Sequence, residues 1–157
     1  MHTGMRRSAL AFFFLVILLD QATAQQQNPQ PGEIIINLHW ITDSNGCKVW
    51  NSNPTGNESV TWSGPCSDGY ADGSGTLTWF ANGAVHSTYT GEMHSGHYHG
   101  RGTQVWPTGA RYEGEWKNDR ADGPGIYWPS QGAGCSGIWV DGCLVGCPIS
   151  IGTRTCP

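Results

Sequence analysis

From Tyr112 to Trp116 large apolar positions alternate with carboxylates. Tyr112, Gly114 and Trp116 fall on one parity, and Glu113 and Glu115 on the other. Successive side chains of an extended chain point to opposite faces, so this period of two predicts a strand buried on one side only. Turn formers follow from Lys117 to Asp122, and then Gly123-Pro124-Gly125, whose glycines accept backbone angles closed to larger residues; the chain is expected to reverse there. Ile126 to Pro129 is predicted to return as a second strand. Its counterparts Thr76 to Trp79 and Thr103 to Trp106 are likewise β-branched and aromatic. Asn82-Gly83, Thr108-Gly109 and Gln131-Gly132 read as the turns that end those strands.

The same pattern recurs along the chain. Stepping back 23 residues from Tyr112 places Tyr89, Gly91, Met93, Gly100 and Gly102 on the same positions, and stepping forward 23 places Cys135, Gly137, Trp139 and Gly146 there. A further step back, now of 27, reaches Trp62, Gly64, Cys66, Gly73 and Gly75, with the four extra residues lying around Ala81 to Thr88. An isolated two-stranded hairpin is marginal in water, so each unit is expected to bury its aromatic face against its neighbours. Glycine in the middle of each first strand (Gly64, Gly91, Gly114, Gly137) leaves room for rings from adjacent units to lie over the backbone. The predicted fold is all-β, an elongated stack of hairpin repeats with little or no helix outside an N-terminal leader. All 8 Trp lie beyond that leader, as do all but one of the 23 Gly, a mixture suited to short strands with tight turns.

Tyr-x-Gly-x-Trp followed by Gly-x-Gly at this period resembles the MORN repeat. Tyr112 to Gly125 carries the pattern completely, and Tyr89 to Gly102 has Met93 in place of Trp. Trp62 to Gly75 has Trp for Tyr and Cys66 for Trp, while Cys135 to Gly146 has Cys for Tyr but keeps Gly137 and Trp139. The resemblance spans roughly residues 60 to 148, with units at about 60–83, 89–109, 112–132 and 135–148. It implies a noncatalytic module for protein binding or scaffolding, since similar repeats have been linked to protein contacts, self-assembly and membrane association. Cysteines at aromatic positions of the terminal units imply disulfides that replace lost ring packing.

The flanks read as caps and targeting. Arg6 and Arg7, the apolar run Ala9 to Leu19 and the small residues Ala22-Thr23-Ala24 form a signal peptide, with cleavage expected after Ala24. Gln25 to Gly32 is expected to be a disordered lead. Glu33 to Ile41, a turn at Asp43 to Gly46 and Cys47 to Trp50 are expected to pair as a hairpin covering the open edge of the first repeat, within a cap segment at 33–59. A last strand is expected within residues 149–157. An exported chain, periplasmic or secreted, explains the even cysteine count (Cys47, Cys66, Cys135, Cys143, Cys147, Cys156) as a disulfide framework. Proximity favours Cys47 with Cys66 and leaves the pairing of the other four open.

Loss of the leader takes the 8 basic and 12 acidic side chains to 6 and 11. An acidic surface with scattered cations excludes nucleic acid as a partner. It also leaves lipid association without a basic or apolar anchor. No nucleophile elbow and no glycine-rich loop leading into a helix is present, so no catalytic residue and no cofactor is assigned. Asp72 and Asp122, each before Gly-x-Gly, read as carboxylates bonded to turn amides. His94, His97 and His99, with His86 nearby, are candidate binding residues; a metal site is not assigned to them, because one of their positions is filled by aspartate in other units. Asn57-Glu58-Ser59 is a glycosylation sequon. The expected partner is a protein, including a second copy joined through an open strand edge. The alternative is a glycan stacked on Trp79 and Trp106, which occupy equivalent positions one repeat apart.

Overall fold

The computed structural model describes residues 39–147 and 149–152, and none of these lies in an α-helix. The signal peptide, the lead, residues 33–38 of the cap and Cys156 lie outside the described residues, as does most of the expected last strand. Eleven strands form two sheets. The larger has seven: β3 (Glu58–Trp62), β6 (Gly73–Ala81), β7 (Ala84–His94), β8 (His97–Val105), β9 (Arg111–Lys117), β10 (Arg120–Trp128) and β11 (Cys135–Trp139). From β6 to β11 each strand pairs antiparallel with the next, and β3 pairs with the other side of β6. The smaller sheet has the order β1 (Trp40–Thr42), β2 (Lys48–Trp50), β5 (Tyr70–Ala71), β4 (Cys66–Ser67).

Register explains why glycine recurs. Gly75, Gly91, Gly102, Gly114, Gly125 and Gly137 face one another in turn across six consecutive strands. A row without side chains leaves a trough one ring deep. Tyr89 lies over Gly91 and Gly102, and Tyr112 lies over Gly114 and Gly125. A Cβ at Gly125 would sit 2.6 Å from Tyr112 Cζ, and one at Gly102 would sit 2.5 Å from Tyr89 Cζ. Each ring therefore nests on its own unit's glycines, where rings from adjacent units were expected; a side chain leans along its own strand and reaches the glycine two positions on more directly.

Neighbouring units contribute through tryptophan. Trp116 Nε1 donates to the Gly102 carbonyl at 3.0 Å, and Trp139 Nε1 donates to the Gly125 carbonyl at 3.1 Å. Each indole crosses its own unit's side of the core to close the one before it. Both also meet Tyr112 edge-on, at centroid distances of 4.9 and 5.2 Å. Edge-to-face contacts set the positive rim of one ring against the negative face of another, worth about 1 kcal/mol beyond the area buried. Tyr89, Tyr112 and Trp139 are fully buried, and one continuous core runs from Val49 to Ile151.

The chain reverses earlier than the glycine pattern predicts. Asn118 and Asp119 both have positive φ, at 48° and 67°, as do Ser95-Gly96 and Asp141-Gly142. Two consecutive left-handed residues make the two-residue turn whose twist matches that of the flanking strands. Gly123 lies instead inside β10, at a register shift between Ala121 and Gly125, and its φ of 114° makes the bulge. Asn and Asp tolerate the left-handed region well enough for the turn to form without glycine.

The first unit departs from this plan. Its outgoing strand stops at Trp62, and Cys66 pairs into a separate short hairpin around Asp68-Gly69. Pro65 has no N–H to continue a ladder. The cap hairpin β1–β2 forms in register, Trp40 opposite Trp50, but pairs in parallel with β5 through Lys48 and Tyr70 and does not pair with β3. Disulfides join Cys47 to Cys66 and Cys135 to Cys147, with Cα separations of 5.6 and 5.9 Å, and Cys143 is also disulfide-bonded.

Candidate functional site

The second unit differs from the third at one interior pair. In the third, Trp116 stands opposite Ala121; in the second, Met93 stands opposite Tyr98. The larger side chain has changed strands. Tyr98 stacks on Tyr89 with centroids 3.9 Å apart and planes 6° from parallel, filling the space that a tryptophan takes elsewhere. Its hydroxyl projects past the core and accepts from Trp79 Nε1 at 2.6 Å. Burial holds its proton on, pushing the pKa well above the usual phenol value.

Tyr98 lines a groove of about 790 Å³ on the ring-bearing side of the sheet. One wall is the cap, contributing Trp50 and Asn51. The other is the extended β6–β7 hairpin, contributing Trp79, His86 and Ser87, with Gln104 and Trp106 at the far end. The four residues that lengthen the first interval make this hairpin longer and close it with an Asn82-Gly83 turn. The opposite face of the sheet carries a shallower hollow of about 440 Å³, where Gly102, Gly114 and Gly125 leave backbone uncovered.

The structure brings Trp79 and Trp106 to the same groove in different states. Trp79 is 9% exposed and tied to Tyr98; Trp106 is half-buried, with Tyr127 edge-on at 6.3 Å. The histidines divide. His97 Nδ1 lies 2.6 Å from the Asp119 carboxylate, its ring between Trp40 and Trp50, and so it fastens the cap to the repeats. His94 and His99 stay together, with centroids 5.7 Å apart and His94 Nδ1 3.3 Å from Asp72. His99 Nδ1 is buried without a hydrogen-bond partner among the described residues. No group of three His, Cys, Asp or Glu side chains among the described residues is arranged to hold a metal.

The aspartates before Gly-x-Gly bond to turn amides of the following unit: Asp72 accepts from Ser95 N at 3.0 Å and Asp122 from Asp141 N at 3.1 Å. His99 stands at the equivalent position of the second unit. Sequence reasoning did not single out Trp50, Tyr98, Asn51 or Gln104. For Tyr98 a signal existed: aligning the units puts it where the first and third have Ala71 and Ala121.

Short hairpins that share one sheet and close one another's cores define a β-hairpin repeat protein. The model of the family described as MORN repeat matches residues 67–83, 89–111 and 112–133, so these three stretches carry MORN repeats. The structure extends the repetition beyond those bounds, since Trp139 holds Gly125 as Trp116 holds Gly102. No curated protein matches the chain. Repeats of this family serve as binding or scaffolding modules toward proteins or membrane lipids.

Proposed function

We propose that the chain is an exported, noncatalytic module that binds a partner protein through the edge of its last repeat. The observation that carries this is the state of β11. Among the described residues β11 pairs on one side only, with β10. Beside that edge Ile138 and Val140 are 62% and 65% exposed, and Ile126, on the neighbouring strand, is exposed as well. An unpaired strand with an apolar face is a template for adding a strand from another chain. The other terminal strand, β3, presents Ser59 and Thr61 to solvent and is a poorer candidate. Three disulfide-bonded positions of the last unit, Cys135, Cys143 and Cys147, fit an oxidising compartment and hold the edge in one shape.

The test compares partners captured from the native envelope or medium by the oxidised chain and by its Ile138→Lys, Val140→Glu variant. Binding specific to the unaltered edge is expected; the same partners on both would overturn the proposal. A second reading, glycan binding, is supported by Trp79 and Trp106 lining one groove.

A further inference from the structure

We propose that the groove between the cap and the second repeat takes a neutral saccharide, held by uncharged donors and one open indole. The inference rests on the glycan reading and narrows it to a ligand class. The first argument is where the groove comes from. The four-residue insertion and Tyr98, two features that break the repeat, come from separate stretches of chain and meet at one surface.

Charge comes next. Among the described residues no Lys or Arg lines the groove. Its two carboxylates are already engaged: Glu58 accepts from Thr55 N at 2.7 Å and Gly56 N at 2.9 Å, and Asp119 holds His97 Nδ1 at 2.6 Å and Tyr98 N at 2.8 Å. The Glu58 pKa is accordingly lowered, chiefly by its hydrogen bond with the Thr55 hydroxyl. An anionic ligand would meet two carboxylates and no fixed cation, and a cationic one would have to displace existing bonds. The exposed His86 and the buried Tyr98 are the remaining titratable groups of the lining.

What remains available is neutral. The Tyr98 hydroxyl accepts from Trp79, and its own proton has no acceptor among the described residues. The Gln104 amide, the Trp106 indole N–H and the Asn51 amide N–H₂ likewise have no hydrogen-bond partner there; the Asn51 side-chain oxygen accepts from Asn53 N. Amides and hydroxyls match sugar hydroxyls as both donors and acceptors. The C–H face of a pyranose packs on an aromatic ring, which half-buried Trp106 supplies. β6, β7 and β8 are interior strands, paired on both sides, and so offer an extended peptide no backbone edge.

The test is titration calorimetry of the oxidised chain against neutral hexose and N-acetylhexosamine trisaccharides and matched uronic acid trisaccharides. Binding of at least one neutral trisaccharide is expected. Tyr98→Phe keeps the ring and removes the hydroxyl, and Gln104→Ala removes an amide outside the core; each is expected to weaken binding about tenfold, the upper end for one hydrogen bond. Thermal melts confirm that the variants are folded, and Gln104→Ala keeps the test decisive if Tyr98→Phe is not. Binding of uronic acid trisaccharides alone would overturn the inference and leave the glycan reading standing. Binding of neither class would overturn both, and neutral binding indifferent to the two substitutions would overturn the site.

Discussion

The second and third repeats solve one packing problem in two ways. In the third, Trp116 rises from the outgoing strand and Ala121 opposite stays small; in the second, Met93 is slender and Tyr98 fills the space from the returning strand. Both arrangements bury completely the tyrosine between them and the glycine row, Tyr112 in one and Tyr89 in the other. They differ in where the polar tip of the large ring emerges. Trp116 turns its N–H inward to the Gly102 carbonyl, whereas Tyr98 turns its hydroxyl toward Trp79. A core of fixed volume can thus be filled from either strand, and the choice of strand decides whether a polar group closes the preceding unit or meets Trp79.

The largest effect that breaks both units together is high pH. Tyr89, Tyr98 and Tyr112 all have pKa values raised by burial. A tyrosine ionises at about 10 when exposed, so the unfolded chain releases these protons before the folded one does. Stability from this source is full below about pH 10 and falls as pH rises beyond it. Tyrosinate absorbance of these three rings should therefore appear only together with loss of near-ultraviolet circular dichroism. Ionisation of all three in a chain that keeps its folded spectrum would contradict the buried stack.

Next comes the exchange of ring and partner. Tyr98→Ala should cost about 3–5 kcal/mol, as expected for emptying an aromatic site in a core. Met93→Trp alone overfills the same space and should cost about 1–3 kcal/mol. The double variant recreates the arrangement of the third repeat, so the two effects should fall short of their sum by at least about 1 kcal/mol in urea unfolding. Strict additivity would show that the repeats do not share a packing rule.

A smaller contrast lies along the glycine row. A Cβ at Gly114 would sit 2.5 Å from Tyr112 Oη and 2.6 Å from the Gly125 Cα, and backbone cannot yield as a side chain can. At Gly137 the nearest atom is Leu144 Cδ1 at 2.9 Å, the end of a flexible side chain. Gly114→Ala should cost about 3 kcal/mol and Gly137→Ala about 1 kcal/mol or less. Equal denaturation midpoints would mean that the row does not exist to seat rings.

Much of this was legible because repetition converts spacing into contact. Tyr89, Tyr112, Gly91 and Gly114 lie at one interval, and the pairing of Gly102 with Gly114 follows once strands alternate. The proximity of Cys47 and Cys66 is legible for a similar reason, a short stretch of chain between them. The turn was misplaced because glycine serves bulges as well as reversals: Gly123 makes a bulge, and Asn118-Asp119 reverse the chain using side chains that tolerate left-handed geometry. The cap's place was not legible, since a three-residue strand such as β2 has too little pattern to name its neighbour. Nor was the groove, whose walls come from Trp50, Ser87 and Trp106, far apart in sequence and joined by no periodicity.

The reach of each indole back to the preceding carbonyl gives the array a polarity. Trp139 completes the third repeat and Trp116 the second. Cutting the array from its C-terminal side therefore strips a closing group from whatever stays behind, and at the last strand Leu144 takes up the space over Gly137. A stack held in this manner is closed unit by unit from its C-terminal side.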